Sequence, residues 1–218
     1  MVHEASEPLT FGLERELTYA GHLTPAAQLV PLVKRTFASA DETHVRVWGP
    51  AGDIAKFPFP SNRRSMVSAL TFCPNFSTIV TGEVDMTLKC YSLSLDLVEC
   101  FPLEQERAEL RGDGRGERKA KGKSGKVTTL AYLPAAGSFI LAGSESGCEL
   151  WQLTKSRERR INTSRLRGLE YHLQLNLIKQ VTTEPVHRIV VAAEQRVVIA
   201  ELKTVLVLDH ELNLMASC

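Results

Sequence analysis

The stretch ADETHVRVWG, residues 40–49, decides the fold. A charged, turn-like pair, Asp41-Glu42, leads into the alternation of Val45 and Val47, with Trp48 behind them, and the run stops at Gly49. Alternation of this kind, rich in β-branched and aromatic residues and closed by glycine, is the signature of a strand. Similar runs recur at Val67–Phe72, Thr78–Thr81, Thr87–Tyr91, Val127–Tyr132, Ser138–Ala142 and Cys148–Trp151, punctuated by Pro74-Asn75, Gly82, Pro134, Gly137, Gly143 and Gly147. Many short strands with few helical periods predict an all-β chain.

The runs also repeat one another. After Met66 comes a strand, a Pro-centred turn, a second strand, a small-residue turn and a third strand ending at Tyr91; after Lys126 the same order ends at Trp151. Phe37 to Trp48 supplies the last half of a third copy. The terminal aromatics Trp48, Tyr91 and Trp151 stand 43 and 60 residues apart, and the longer gap holds a basic, Gly-rich insertion. Removing about 17 residues of it restores the shorter spacing, which is that of a repeat array.

On these residues, with Gly21-His22 standing 27 positions before Trp48, the chain resembles the WD40-repeat family. The resemblance implies β-propeller blades of four antiparallel strands, forming a partial propeller or a small ring. It assigns structural repeat positions to Gly21, His22, Glu42, Trp48, Asp85, Thr87, Tyr91, Glu145 and Trp151, with Glu42 and Glu145 standing where the family has Asp. Their expected role is a polar network tying turns to strands, with the indoles packed inside the blades. The implied organisation is an N-terminal segment over residues 1–20, in which Phe11–Tyr19 reads as an outer strand, then blades over 21–62 and 63–103. An insertion over 104–126, a third blade over 127–170 and a weaker fourth over 171–218 complete it. Four such units are fewer than the usual seven, so further blades are expected on a longer chain or a partner.

Composition bounds the function. The chain has 218 residues, 44% of them hydrophobic, and no apolar run near the length of a membrane span. The N-terminus lacks the basic and apolar regions of a secretory signal, and five scattered cysteines without a paired motif suggest neither disulfides nor zinc. A cytoplasmic setting is expected, with the nucleus and the cytoskeleton or cilium as alternatives. The net charge of +1 hides two basic segments: residues 111–126 carry seven basic and two acidic side chains, and 155–167 carry six and one.

No nucleophile elbow, phosphate loop or metal motif is present, and no histidine pair has ligand spacing. The expectation is therefore a non-catalytic scaffold that binds other proteins, with no cofactor, membrane or small-molecule substrate. Ciliary or other cytoskeletal assemblies are one setting for it. A second reading is a nucleic-acid-associated module contacting its ligand through Arg111, Arg115, Arg118, Lys119, Lys121, Lys123, Arg157, Arg159 and Arg160. The strand assignments place the two basic segments on opposite faces, and no aromatics interleave residues 111–126 to stack bases.

Overall fold

The computed structural model describes residues 21–22, 24–41, 44–58, 66–103, 125–134, 137–158, 170–192 and 196–218. The chain is all-β there, in four antiparallel sheets of four strands each. Blade 1 holds β1 (Gln28–Pro31), β2 (Phe37–Ala40), β3 (His44–Gly49) and β4 (Gly52–Pro58). Blade 2 holds β5 (Val67–Cys73), β6 (Thr78–Glu83), β7 (Thr87–Tyr91) and β8 (Leu97–Pro102), with a single 3-10 turn at Pro74–Phe76. Blade 3 holds β9 (Val127–Leu133), β10 (Ser138–Ser144), β11 (Gly147–Glu158) and β12 (Glu170–Thr182). Blade 4 holds β13 (Val186–Val191), β14 (Val197–Glu201), β15 (Val205–Leu208) and β16 (Leu214–Ser217).

Each blade is a plain meander, its strands neighbouring in chain order. The first strands stand side by side, β1 against β5, β5 against β9 and β9 against β13. The sheets therefore stack face on face. Strands between two neighbours must be apolar on both sides, which is why β6 is buried at every residue while β16 is exposed at every residue. Three apolar layers fill the gaps: Val45, Val47, Ile79 and Tyr91 between blades 1 and 2, Val80, Cys90, Ile140 and Trp151 between 2 and 3, and Leu141, Leu150, Val197 and Leu208 between 3 and 4.

Registers make the four second-to-third-strand hairpins superimposable. Phe37 pairs with Trp48, Ile79 with Tyr91, Ile140 with Trp151 and Val197 with Leu208. These pairs face the preceding blade. The neighbouring pairs, Ala38 with Val47, Val80 with Cys90, Leu141 with Leu150 and Val198 with Val207, face the following one.

Two expected boundaries move. The segment from residue 171, expected to open the fourth blade, is instead the outer strand of the third, pairing with β11 from Cys148↔Thr182 to Glu158↔Glu170. Its alternation explains this: Leu173 and Leu175 bury beside Phe101 and Leu103 of blade 2. The second basic segment likewise begins later than expected, because Lys155 to Glu158 continue β11. The proposed outer strand at Phe11–Tyr19 lies outside the described residues.

Candidate functional site

The densest polar constellation lies on the face of blade 1 turned away from blade 2. Asp41 follows β2, and its backbone N–H donates to the His44 carbonyl at 3.0 Å, closing the hairpin. The Asp41 carboxylate then serves two groups. Oδ1 accepts the His44 backbone N–H at 2.5 Å, and Oδ2 lies 2.9 Å from His22 Nδ1. His22 Nε2 stands 2.5 Å from Ser39 Oγ, and the Trp48 indole N–H donates to that same Oγ at 2.6 Å.

Ser39 Oγ accepts from the Trp48 indole and shares a hydrogen bond with His22 Nε2, in which either group can donate according to the imidazole tautomer, while His22 Nδ1 faces the Asp41 carboxylate. Hydrogen bonds join Trp48 to Ser39, Ser39 to His22 and Asp41 to the His44 backbone, and His22 Nδ1 meets the Asp41 carboxylate at ion-pair distance, so the set ties β2, β3 and the Gly-His segment together. Arg46 seals it: its guanidinium lies 5.5 Å from the Trp48 ring centroid and donates from Nη2 to the Gly21 carbonyl at 2.5 Å. A Cβ at Gly21 would stand 2.9 Å from that guanidinium, the movable end of the Arg46 side chain. Phe37 stacks on Trp48 at 6.2 Å.

Ser39, His22 and Asp41 also meet the hydrogen-bond order of a Ser-His-Asp nucleophilic triad. Their surroundings oppose that use. Ser39 is 3% exposed, in the middle of a sheet, and the indole N–H fills the approach to its Oγ. A nucleophile must reach a substrate carbonyl with an oxyanion site beside it, and Ser39 faces a tryptophan.

The same hairpin position is built differently in each blade. Register places Glu83, Ser144 and Glu201 where blade 1 has Asp41. Glu83, wholly buried, pairs with Lys89 Nζ at 2.7 and 2.8 Å. Burial pushes its carboxyl above the usual range, and Lys89 pulls it partly back. Ser144 accepts the Ser146 backbone N–H at 3.2 Å and donates to the Gly147 carbonyl at 3.1 Å. The Glu201 carboxylate accepts from the Thr182 and Thr204 hydroxyls. At the Ser39 position blade 2 has Thr81 and blade 3 has Ala142. With no oxygen there, the buried Trp151 indole N–H has no acceptor among the described residues.

The expected repeat positions thus divide. Gly21, His22 and Trp48 come together in the lock. Asp85 acts locally, its Oδ1 accepting the Thr87 backbone N–H at 3.2 Å, and Tyr91 and Trp151 are core residues. Glu42 lies outside the described residues, and the carboxylate that does the tying is its neighbour Asp41. Glu145 is exposed on its turn, and Ser144 makes the bonds. Ser39 carried no motif; the one available signal was a polar residue in the apolar run Phe37–Ala40.

Of the basic candidates, Arg157 lies in β11 opposite Tyr171, and Arg111, Arg115, Arg118, Lys119, Lys121, Lys123, Arg159 and Arg160 lie outside the described residues. The strand ends they leave from are described. Val127 starts β9 opposite Ser144, at the Gly147 end of β11, whereas Glu158 is the other end of that strand. Eleven residues of strand separate the two, about 36 Å. Cys73, Cys90 and Cys148 are free and buried, and burial pushes the Cys90 thiol up to about 12, far from a reactive thiolate. No three His, Cys, Asp or Glu side chains converge as metal ligands among the described residues.

The class of protein that this arrangement defines is a stack of four-stranded antiparallel blades. A scan of the chain against protein-family models finds no match, and a search of curated proteins finds no significant relative.

Proposed function

We propose that this protein is a non-catalytic scaffold of the WD40-repeat type, whose stacked blades present their flanks and turns to other proteins. The observation that carries the reading is the Trp48–Ser39–His22–Asp41 lock. It uses the residue types and the Gly-His spacing of that family, and it devotes the one triad-like set in the described residues to holding strands together. A fold whose polar groups are spent on internal ties offers partners its shape and surface. Other proteins are the partners this reading requires, and the cytoplasm or a cytoskeletal assembly is the setting it fits.

Two measurements test it. Treatment of the folded protein with a serine-reactive fluorophosphonate should leave the intact mass unchanged, and an adduct mapped to Ser39 would make the protein a hydrolase. Cross-linking in cells followed by mass spectrometry should join blade residues to the same small set of proteins in repeated preparations. Cross-links scattered at random over abundant proteins would sink the scaffold role.

A further inference from the structure

The four blades treat their outer edges alike, with one exception. In each, the fourth strand carries a bulge where it passes the position of Trp48, Tyr91, Trp151 or Leu208. The extra residues are Ile54, Val98, Ile178 and Met215, all large, apolar and 41–59% exposed. A bulge breaks the row of unpaired backbone groups that an edge strand offers, and so keeps the edge from pairing with other chains. Beyond it, toward the hairpin turn, β4 has two residues and β8 and β16 have one each. On the other side these three strands run on for at most four residues, and β4 and β8 end at Pro58 and Pro102, which lack an N–H.

Blade 3 is the exception. On the turn side of Ile178, β12 stays in unbroken register with β11 from Leu177↔Trp151 to Glu170↔Glu158, eight residues, about 27 Å. It is the last strand of its sheet, and no described strand pairs with its outer side. Since β10 follows β11 only as far as Leu153, the hairpin continues as a two-stranded ribbon, a structure that is marginal alone. Here it is held in place. Leu173 and Leu175 are buried in the layer between blades 2 and 3, and His172 Nδ1 lies 3.7 Å from Glu99 Oε2 of β8. The alternate residues Gln174 and Asn176 are exposed. The result is a long, bulge-free, anchored edge, with a leucine row on one face and polar residues on the other.

We propose that the outer edge of β12 takes an extended segment of a partner protein as a fifth strand of blade 3, along residues 170–177. Main-chain hydrogen bonds hold such a segment, and its alternate side chains give selectivity. The leucine row sets that alternation. Every second residue of the segment is apolar and continues the row of Leu173, Leu175 and Leu177, and the residues between are polar, beside Gln174 and Asn176. A second folded copy of this chain is the poorer occupant. Its blades 1, 2 and 4 have blunted edges. Two β12 edges side by side, each about 27 Å long and about 10 Å deep, would bury about 540 Å², well under the roughly 1,000 Å² of a stable contact between folded domains. An extended segment follows the twist of the strand and uses the edge in full. A partner site on blade 3 rests on the scaffold reading, whereas the scaffold reading does not need this site.

Selection of short phage-displayed peptides on the 218-residue chain tests it. Peptides that bind should alternate apolar and polar residues, and a synthetic copy should slow amide hydrogen exchange in residues 170–177 and in no other outer strand. N-methylation of every second amide of that peptide should weaken binding at least about tenfold in one phase and less than about twofold in the other, since only one phase faces the edge. Equal effects in both phases, or protection of a different strand, would overturn the proposal in favour of side-chain docking elsewhere on the blades. The absence of any binder tighter than about 100 μM would also overturn it. Self-association of the chain with the same protected residues would assign the edge to a second copy instead. The cross-links that test the scaffold role are read independently of all these outcomes.

Discussion

Blade 1 and blade 3 have the same hairpin, the same register and the same tryptophan, and they treat its indole N–H in opposite ways. In blade 1 the N–H of Trp48 donates to Ser39, which in turn bonds His22 beside the Asp41 carboxylate. In blade 3, Ala142 replaces the serine and the N–H of Trp151 is left without a described acceptor, although the indole is fully buried. Apolar packing alone therefore suffices to seat a tryptophan between two blades. The polar lock is an addition, found at the one end of the stack where no described blade lies behind the indole to cover it. Trp151 has blade 2 at its back; Trp48 has His22, Arg46 and Phe37.

The largest effect expected from breaking the comparison is at Asp41. Asp41→Ala strips partners from His22 and from the His44 backbone in a buried setting, and should destabilise by about 3 kcal/mol in urea denaturation. The same change at the equivalent Ser144 should cost about 1 kcal/mol. Blade 2 offers the ionic variant of the lock. Lys89→Met leaves the Glu83 carboxyl buried without its counter-charge, and a loss of about 3 kcal/mol at neutral pH is expected. Its pH dependence has a definite sign. The carboxyl is raised in the folded state, so the folded protein holds that proton more tightly than the unfolded chain. Stability is highest below the ordinary Glu range and falls as pH rises from there through the folded-state value. Unfolding measured across this window should show the fall, Glu83→Gln should abolish it, and Lys89→Met should extend it to higher pH. The smallest effect is at Glu145: an exposed turn residue whose neighbour makes the bonds, it should change stability by less than about 0.5 kcal/mol on replacement by Ala.

How much of this was legible beforehand follows from where the information sits. The blades were legible because strand period and the spacing of Trp48, Tyr91 and Trp151 are hydrophobic signals, carried by side chains that fill the gaps between sheets. The boundary between blades 3 and 4 was not, since β12 alternates leucine with Gln174, Asn176 and other polar residues, and its pairing with β11 crosses a long intervening segment. Within the lock, Gly21, His22 and Trp48 are legible in the sequence, while Glu42 lies outside the described residues and the carboxylate seen tying the turn is Asp41. Counting from a family spacing cannot replace the hairpin register, which puts Asp41 opposite His44. Ser39 needed a different argument: a buried indole N–H seeks an oxygen, and Ser39 is the hydroxyl on the neighbouring strand.

That requirement can be tested by exchanging the two sites. Urea denaturation of Ser39→Ala and Ala142→Ser, each against the wild-type chain, measures the lock where it exists and where it is missing. Ser39→Ala should lose about 2 kcal/mol, because it orphans Trp48 and His22 together, and Ala142→Ser should gain about 1 kcal/mol by giving Trp151 an acceptor. If Ser39→Ala is neutral while Ala142→Ser destabilises, the hydroxyl in blade 1 is incidental and the lock does not hold the hairpin.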